Sequence, residues 1–121
     1  MTWEYQQSTG HFSHNDTFIV TGYSGRDEGL NNPAEEGVQG NGPIPHGQYT
    51  IGPAMTHPTV GPIAMRLKSC EGTDTHGRDG FLIHGDNKSM NHTASHGCII
   101  LPKAIRQMID DSGDKVLIVS A

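Results

Sequence analysis

The chain has 121 residues, 13 acidic against 8 basic side chains for a formal net charge of -5, and 33% hydrophobic residues. That length holds one core and not two, so residues 1–121 are read as a single domain. No run of Lys or Arg marks a nucleic-acid surface, no apolar stretch approaches the roughly 20 residues that cross a bilayer, and the first ten residues carry no basic region followed by an apolar run.

Sixteen Gly and seven Pro indicate many turns between short strands, hence a compact, mostly β domain. In chain order, TWEYQQ (2–7) alternates Trp3 and Tyr5 with polar residues, STGHFSHND (8–16) reads as a hairpin with a short middle strand, and DTFIVTGYSG (16–25) is a β-branched run with a Gly-rich exit. Residues 26–47 have no period and are rich in Gly, Asn and Pro. They are expected to form a long loop, a candidate wall or lid of a cleft. QYTIGPAM (48–55), IAMRLKSC (63–70) and GFLIHGD (80–86) are strand candidates bounded by Gly or Pro. One helix is expected, PKAIRQMIDDSG (102–113), with Pro102 at its first position, Gly113 past its end and Ile105, Met108 and Ile109 on one face. KVLIVSA (115–121) closes the chain as a buried strand.

The chemistry concentrates in FLIHGDNKSMNHTASHGCII (81–100). A thiol is a good nucleophile as thiolate, and its usual pKa of about 8.5 is lowered by an adjacent imidazole or by amides aimed at sulfur. Gly97 allows a tight turn and leaves the amides beside Cys98 unshielded, as an oxyanion hole requires. All eight histidines precede Cys98, so its base is expected upstream. His84 is best placed, at the end of an apolar run and followed by Gly85, whose carbonyl is exposed to fix the imidazole tautomer. His96 is expected to line the pocket, and Ser95 to brace the turn.

His84 with Ser95-His96-Gly97-Cys98-Ile99 resembles the signature of the L,D-transpeptidase catalytic (YkuD-type) domain: a histidine, a spacer, then Ser/Thr-His-Gly-Cys and an apolar residue. GPIPHGQYTIG (42–52) is similar to that family's Thr-Pro-x-Gly-x-Tyr/Phe segment, with Ile44 in place of Thr. FLIHGDN with ASHGCIIL looks most like the small L,D-transpeptidase-like toxins delivered by type VI secretion. The resemblance implies a mainly β sandwich or barrel with a short C-terminal helix before the last strand. It further implies attack by Cys98 on the diaminopimelate carbonyl of a peptidoglycan tetrapeptide stem. D-Ala then leaves, and water (L,D-carboxypeptidase) or a D-amino acid (exchange) resolves the acyl-enzyme. A cognate immunity protein and a secretion carrier are implied as partners, with synthesis in the cytoplasm and action in the periplasm of a target bacterium. No cofactor is implied. Ile100 departs from the Arg or Asn that usually follows the apolar residue, which favours carboxypeptidase or exchange chemistry over crosslinking. Arg78 is a candidate cation for a stem carboxylate, with a solvated turn charge as the alternative. His46, at the variable place of the Pro-x-Gly segment, is a candidate cleft residue.

Two other readings stay open on residues alone. His84, His92, His96 and Cys98 are zinc ligands of reasonable type in a non-enzymatic zinc- or cell-wall-binding module. A Cys70 to Cys98 disulfide would abolish thiol chemistry. Cys70 itself reads as a strand-end residue.

Overall fold

A computed structural model describes residues 2–58, 61–85 and 97–121 of the chain. Among the described residues ten strands carry the fold: β1 (Thr2–Gln6), β2 (His11–His14), β3 (Thr17–Thr21), β4 (Tyr23–Ser24), β5 (Gly47–Ile51), β6 (Met55–His57), β7 (Gly61–Ser69), β8 (Leu82–His84), β9 (Ile99–Ile100) and β10 (Val116–Ser120). One helix, α1 (Lys103–Ser112), precedes the last strand. Among the described residues no helix is long and apolar enough to cross a membrane.

The strands form one sheet in the order β3-β2-β1-β10-β5-β7-β8-β9-β4, with β6 paired to β7. Its two outermost strands, β3 and β4, are consecutive in the chain and separated only by Gly22, so the sheet curls into a nearly closed barrel. Gly22 is required at that corner, because a Cβ there would run into the Ile100 carbonyl of β9.

The period-2 pattern decides which side chains enter the barrel. Trp3 and Tyr5 of β1, Leu117 and Val119 of β10, Tyr49 and Ile51 of β5, Met65 and Leu67 of β7, Ile83 of β8 and Ile99 of β9 all join one buried cluster. β10 lies between parallel β1 and antiparallel β5, which accounts for its unbroken apolar run.

Three expectations are refined. The segment 48–55 forms two strands, with 52–54 as a corner where Gly52 N–H donates to Arg66 O (2.8 Å). Pro102 is the residue before the first helical position, and Gly113 ends the helix in the left-handed conformation (φ 74°). Met108 does not share the buried face: it is 43% exposed, whereas Ile109 is fully buried and Ile105 packs against the core. Arg106, three residues before Ile109, takes the remaining inward position. Its guanidinium is held by the carbonyls of Leu101, Pro62 and Ile63.

Between β4 and β5 the regular structure is two 3-10 turns, Asp27–Gly29 and Pro33–Glu35, so the expected loop ends at residue 46, one residue before β5. It is nonetheless anchored. Ile44 is buried in the core, Ile44 N–H donates to Ser24 Oγ (2.9 Å), and Arg26 N–H donates to Asn41 O (2.8 Å).

Candidate active site

The register of β8 and β9 brings His84 and Cys98 together. The strands are parallel, with Ile83 opposite Ile99 and His84 opposite Ile100. Extended by one residue, this pairing sets Leu82 beside Cys98, whose sulfur accepts from the Leu82 amide, while Leu82 and His84 share one face of β8 with Ile100 of β9. Ile83 and Ile99 fill the barrel interior on the other. Two residues 14 apart in sequence thus become diagonal neighbours on a rigid two-strand ribbon.

His84 is 3% exposed and its Nδ1 lies 2.8 Å from the Gly85 carbonyl. A carbonyl oxygen can only accept, so Nδ1 carries a proton, and whenever the ring is neutral its lone pair is on Nε2. His84 O in turn accepts from Leu101 N–H (3.0 Å), which ties the end of β8 to the exit of β9. Gly85 leaves room for Arg106, since a Cβ there would stand 2.7 Å from Nη2 of its guanidinium.

Cys98 is a half-buried free thiol with Sγ 3.9 Å from Gly80 O. Burial pushes its pKa up from the ordinary thiol range. A hydrogen bond from the Leu82 amide and the nearby Arg78 guanidinium pull the other way. Before it, Gly97 has φ 126°, a conformation side chains rarely adopt, and a Cβ there would strike Nη2 of Arg78 and lie 3.3 Å from the Phe81 ring. The Gly97 carbonyl accepts from Ser24 Oγ (3.3 Å), a fully buried hydroxyl on β4.

Arg78 is 4% exposed and lies 5.4 Å from the Phe81 ring centroid. Nη1 donates to Glu36 O and Pro43 O (2.8 Å), and Nη2 donates to Gly42 O (2.9 Å). The residue is therefore not a solvated turn charge. It fastens the 36–43 wall to the turn before β8, close beside Gly97, and any substrate carboxylate would approach a guanidinium whose Nη atoms already serve three carbonyls. His46 is 63% exposed, and its Nδ1 lies 3.0 Å from the Glu36 carboxylate. Glu36 also meets His76 Nε2 (2.9 Å) and Gln7 Nε2 (2.8 Å). Ile100 is buried between Tyr23 of β4 and His84 of β8, so an apolar side chain flanks the imidazole where the related signature has a polar one.

Ser95 and His96 lie outside the described residues, as do His92 and Asp86, so two of the four zinc-reading ligands do too. Among the described residues no three His, Cys, Asp or Glu side chains are grouped to hold a metal ion. Cys70, directly after β7, is also a free thiol, with Sγ 3.6 Å from Thr50 Oγ1. Sequence reasoning missed Ser24, Phe81 and Arg106. Ser24 and Arg106 act through carbonyls of distant segments, which leaves no local pattern to read.

The same region fits a family model. The model described as the Tlde1 domain matches residues 19–117, most of the chain, including both Cys98 and His84. The chain belongs to the Tlde1 domain family. Among solved structures, this Tlde1 domain resembles Mycobacterium tuberculosis L,D-transpeptidase 1, with a TM-score of 0.57 at 16% identity over 99% of this chain and 61% of that one. The complex of the L,D-transpeptidase LdtMt1 with imipenem matches at a TM-score of 0.57 and 18% identity, over 98% of this chain and 57% of that one. The Tlde1 domain thus spans about three fifths of the length of these chains and shares the L,D-transpeptidase fold. No curated protein matches the chain.

Proposed function

We propose that this Tlde1 domain is a cysteine acyltransferase acting on peptidoglycan tetrapeptide stems, with Cys98 as nucleophile and His84 as general base. The observation that carries the reading is the parallel β8–β9 register. It sets the strand ends that carry thiol and imidazole side by side, with the His84 Nδ1 proton held by Gly85 O, so that Nε2 is the ring nitrogen that takes the thiol proton. Membership of the Tlde1 family and the L,D-transpeptidase fold support peptidoglycan as substrate and a secreted effector as context.

Burial keeps the resting thiol protonated, so its proton passes to His84 Nε2 as sulfur bonds to the diaminopimelate carbonyl carbon. The tetrahedral oxyanion is received by backbone amides at the Gly97–Cys98 turn. The C–N bond to D-Ala breaks, and the departing amine takes the proton from the imidazolium. Water or the amine of a D-amino acid then attacks the thioester, giving carboxypeptidase or exchange products. The apolar Ile100 beside His84 fits these small acceptors better than a second stem peptide. His96 and Ser95 complete the pocket in this reading, and His46 lies at its outer wall. An effector acting in the periplasm of a rival cell requires a carrier for export and an immunity protein in the producer.

The test is to incubate the protein and its Cys98→Ala variant with disaccharide-tetrapeptide, with and without an added D-amino acid, and follow product masses. Loss of one alanine, or its replacement, only with the thiol intact establishes the chemistry. An unchanged muropeptide with folded, reduced protein refutes it.

A further inference from the structure

A cavity of about 270 Å³ opens between β7 and the turn that leads into β8, and its lining is unusually cationic for this chain. Arg66, Lys68 and Arg78 are three of only eight basic residues in a protein of net charge -5, and a single carboxylate, Asp79, accompanies them there. Arg66 and Lys68 are exposed on β7, and no ion pair or hydrogen bond engages either side chain among the described residues. Arg78 is already committed to three carbonyls, so Arg66 and Lys68 are the cations this cavity offers to a ligand.

The cavity is aligned with the nucleophile by strand register. β7 and β8 are antiparallel with Arg66 opposite Leu82, and Phe81 O accepts from Leu67 N–H, which places Lys68 opposite Gly80. Leu82 in turn lies beside Cys98 across the β8–β9 pair. Opposed residues share a face, so Arg66 and Lys68 sit on the same face of the sheet as Leu82, which is buried between them and Cys98. Arg66 stands two strands from Cys98, about 10 Å between backbones, a span that a long side chain and one substrate residue bridge. Gly80 joins the two features: it lines the cavity, and its carbonyl lies 3.9 Å from Cys98 Sγ. Having no side chain, Gly80 itself places nothing between them, and among the described residues no atom lies within 4 Å of where its Cβ would stand.

From this geometry we infer that the cavity is a subsite for a carboxylate-bearing limb of the substrate acylated by Cys98, with Arg66 and Lys68 as the residues that recognise its charge. The inference rests on the acyltransferase reading for the identity of the substrate, but not for the charge the subsite selects. A bidentate guanidinium contact from Arg66, with Lys68 as a second point charge, favours a free carboxylate over its amide.

The experiment compares a tetrapeptide stem bearing free side carboxylates with the same peptide amidated at those carboxylates. Binding is measured calorimetrically on Cys98→Ala protein, and turnover on protein with the thiol intact, at low and moderate salt. The carboxylate peptide is expected to bind at least tenfold more tightly than the amide. The preference should shrink as salt rises and fall to within about twofold in Arg66→Gln/Lys68→Gln. In turnover the same double variant should raise KM for the carboxylate peptide about tenfold while leaving kcat within about twofold. Equal binding of the two peptides to the parent, or equal losses on both in the double variant, overturns the subsite. If no turnover is seen but binding still follows charge and depends on Arg66 and Lys68, the subsite stands and the acyltransferase reading fails. Each single variant, with circular dichroism as the folding control, assigns the effect to Arg66 or to Lys68, and a loss that tracks unfolding instead of charge counts against the inference.

Discussion

Replacing Glu36 by Gln should cost a large share of this domain's stability at neutral pH and almost none in strong acid. The carboxylate is mostly buried, and burial alone would raise its pKa. Hydrogen bonds from Gln7, His46 and His76, with the His46 main-chain amide, outweigh that and hold it at about 2 against an ordinary 4.5. At about 1.4 kcal/mol per pKa unit, the displacement from 4.5 to about 2 corresponds to about 3.5 kcal/mol. The folded-state pKa lies below the unfolded one, so this stabilisation is complete above pH 4.5 and is lost as pH falls from 4.5 toward 2. Four segments meet at this side chain and its own carbonyl: the residue after β1, the long loop, the residue before β5, and the turn before β8 through His76 and Arg78. Glu36→Gln keeps the shape and removes the charge. For a domain of this size the melting temperature should fall by about 10 °C at pH 7, and the gap between variant and parent should close by pH 2. Calorimetric melts from pH 2 to 7 measure both. A melting temperature within 2 °C of the parent at pH 7, or a gap that does not change with pH, would refute the reasoning.

Gly97→Ala should be among the most damaging small substitutions, because it forces a side chain into φ 126° and into the Arg78 guanidinium; folded protein with undiminished muropeptide turnover would contradict the site geometry. Ser24→Ala removes the hydroxyl that donates to Gly97 O and leaves the Ile44 amide buried without its acceptor, at a cost of about 1–3 kcal/mol measurable by urea unfolding; a cost below 0.5 kcal/mol would show that this bond is dispensable. Because burial raises the Cys98 pKa, its alkylation by iodoacetamide should still be accelerating at pH 9, and Arg78→Met should move the curve further alkaline; a rate that levels off below pH 8.5 would show a thiolate already formed at rest. Ile109→Ala empties a fully buried position against the barrel and should cost about 2–5 kcal/mol in the same urea assay, whereas Met108→Ala, on the exposed flank, should cost less than 1 kcal/mol.

Local patterns determined much of this protein. Alternation in residues 2–7, the β-branched run at 17–21 and the apolar run at 116–119 carry their strand periods in the sequence, and Gly113 marks the helix end through the one backbone conformation it adopts cheaply. His84 and Cys98 stood out in the sequence as a motif, since a glycine turn before a cysteine and a histidine closing an apolar run each have a chemical reason. Tertiary structure alone decided the rest. Only the strand order shows that β8 and β9 are parallel neighbours, and hence that the segments carrying the two residues lie side by side. Only packing turns Arg78 from a turn charge into a clamp on three carbonyls, puts Ser24 beneath Gly97, and buries Arg106 where Met108 was expected. The physical reason is range. A strand period or a helix cap is an interaction among residues a few positions apart, whereas these contacts join segments 35 to 73 residues apart or depend on what covers a face, and a single chain read in order carries no record of which distant carbonyl a buried donor will meet.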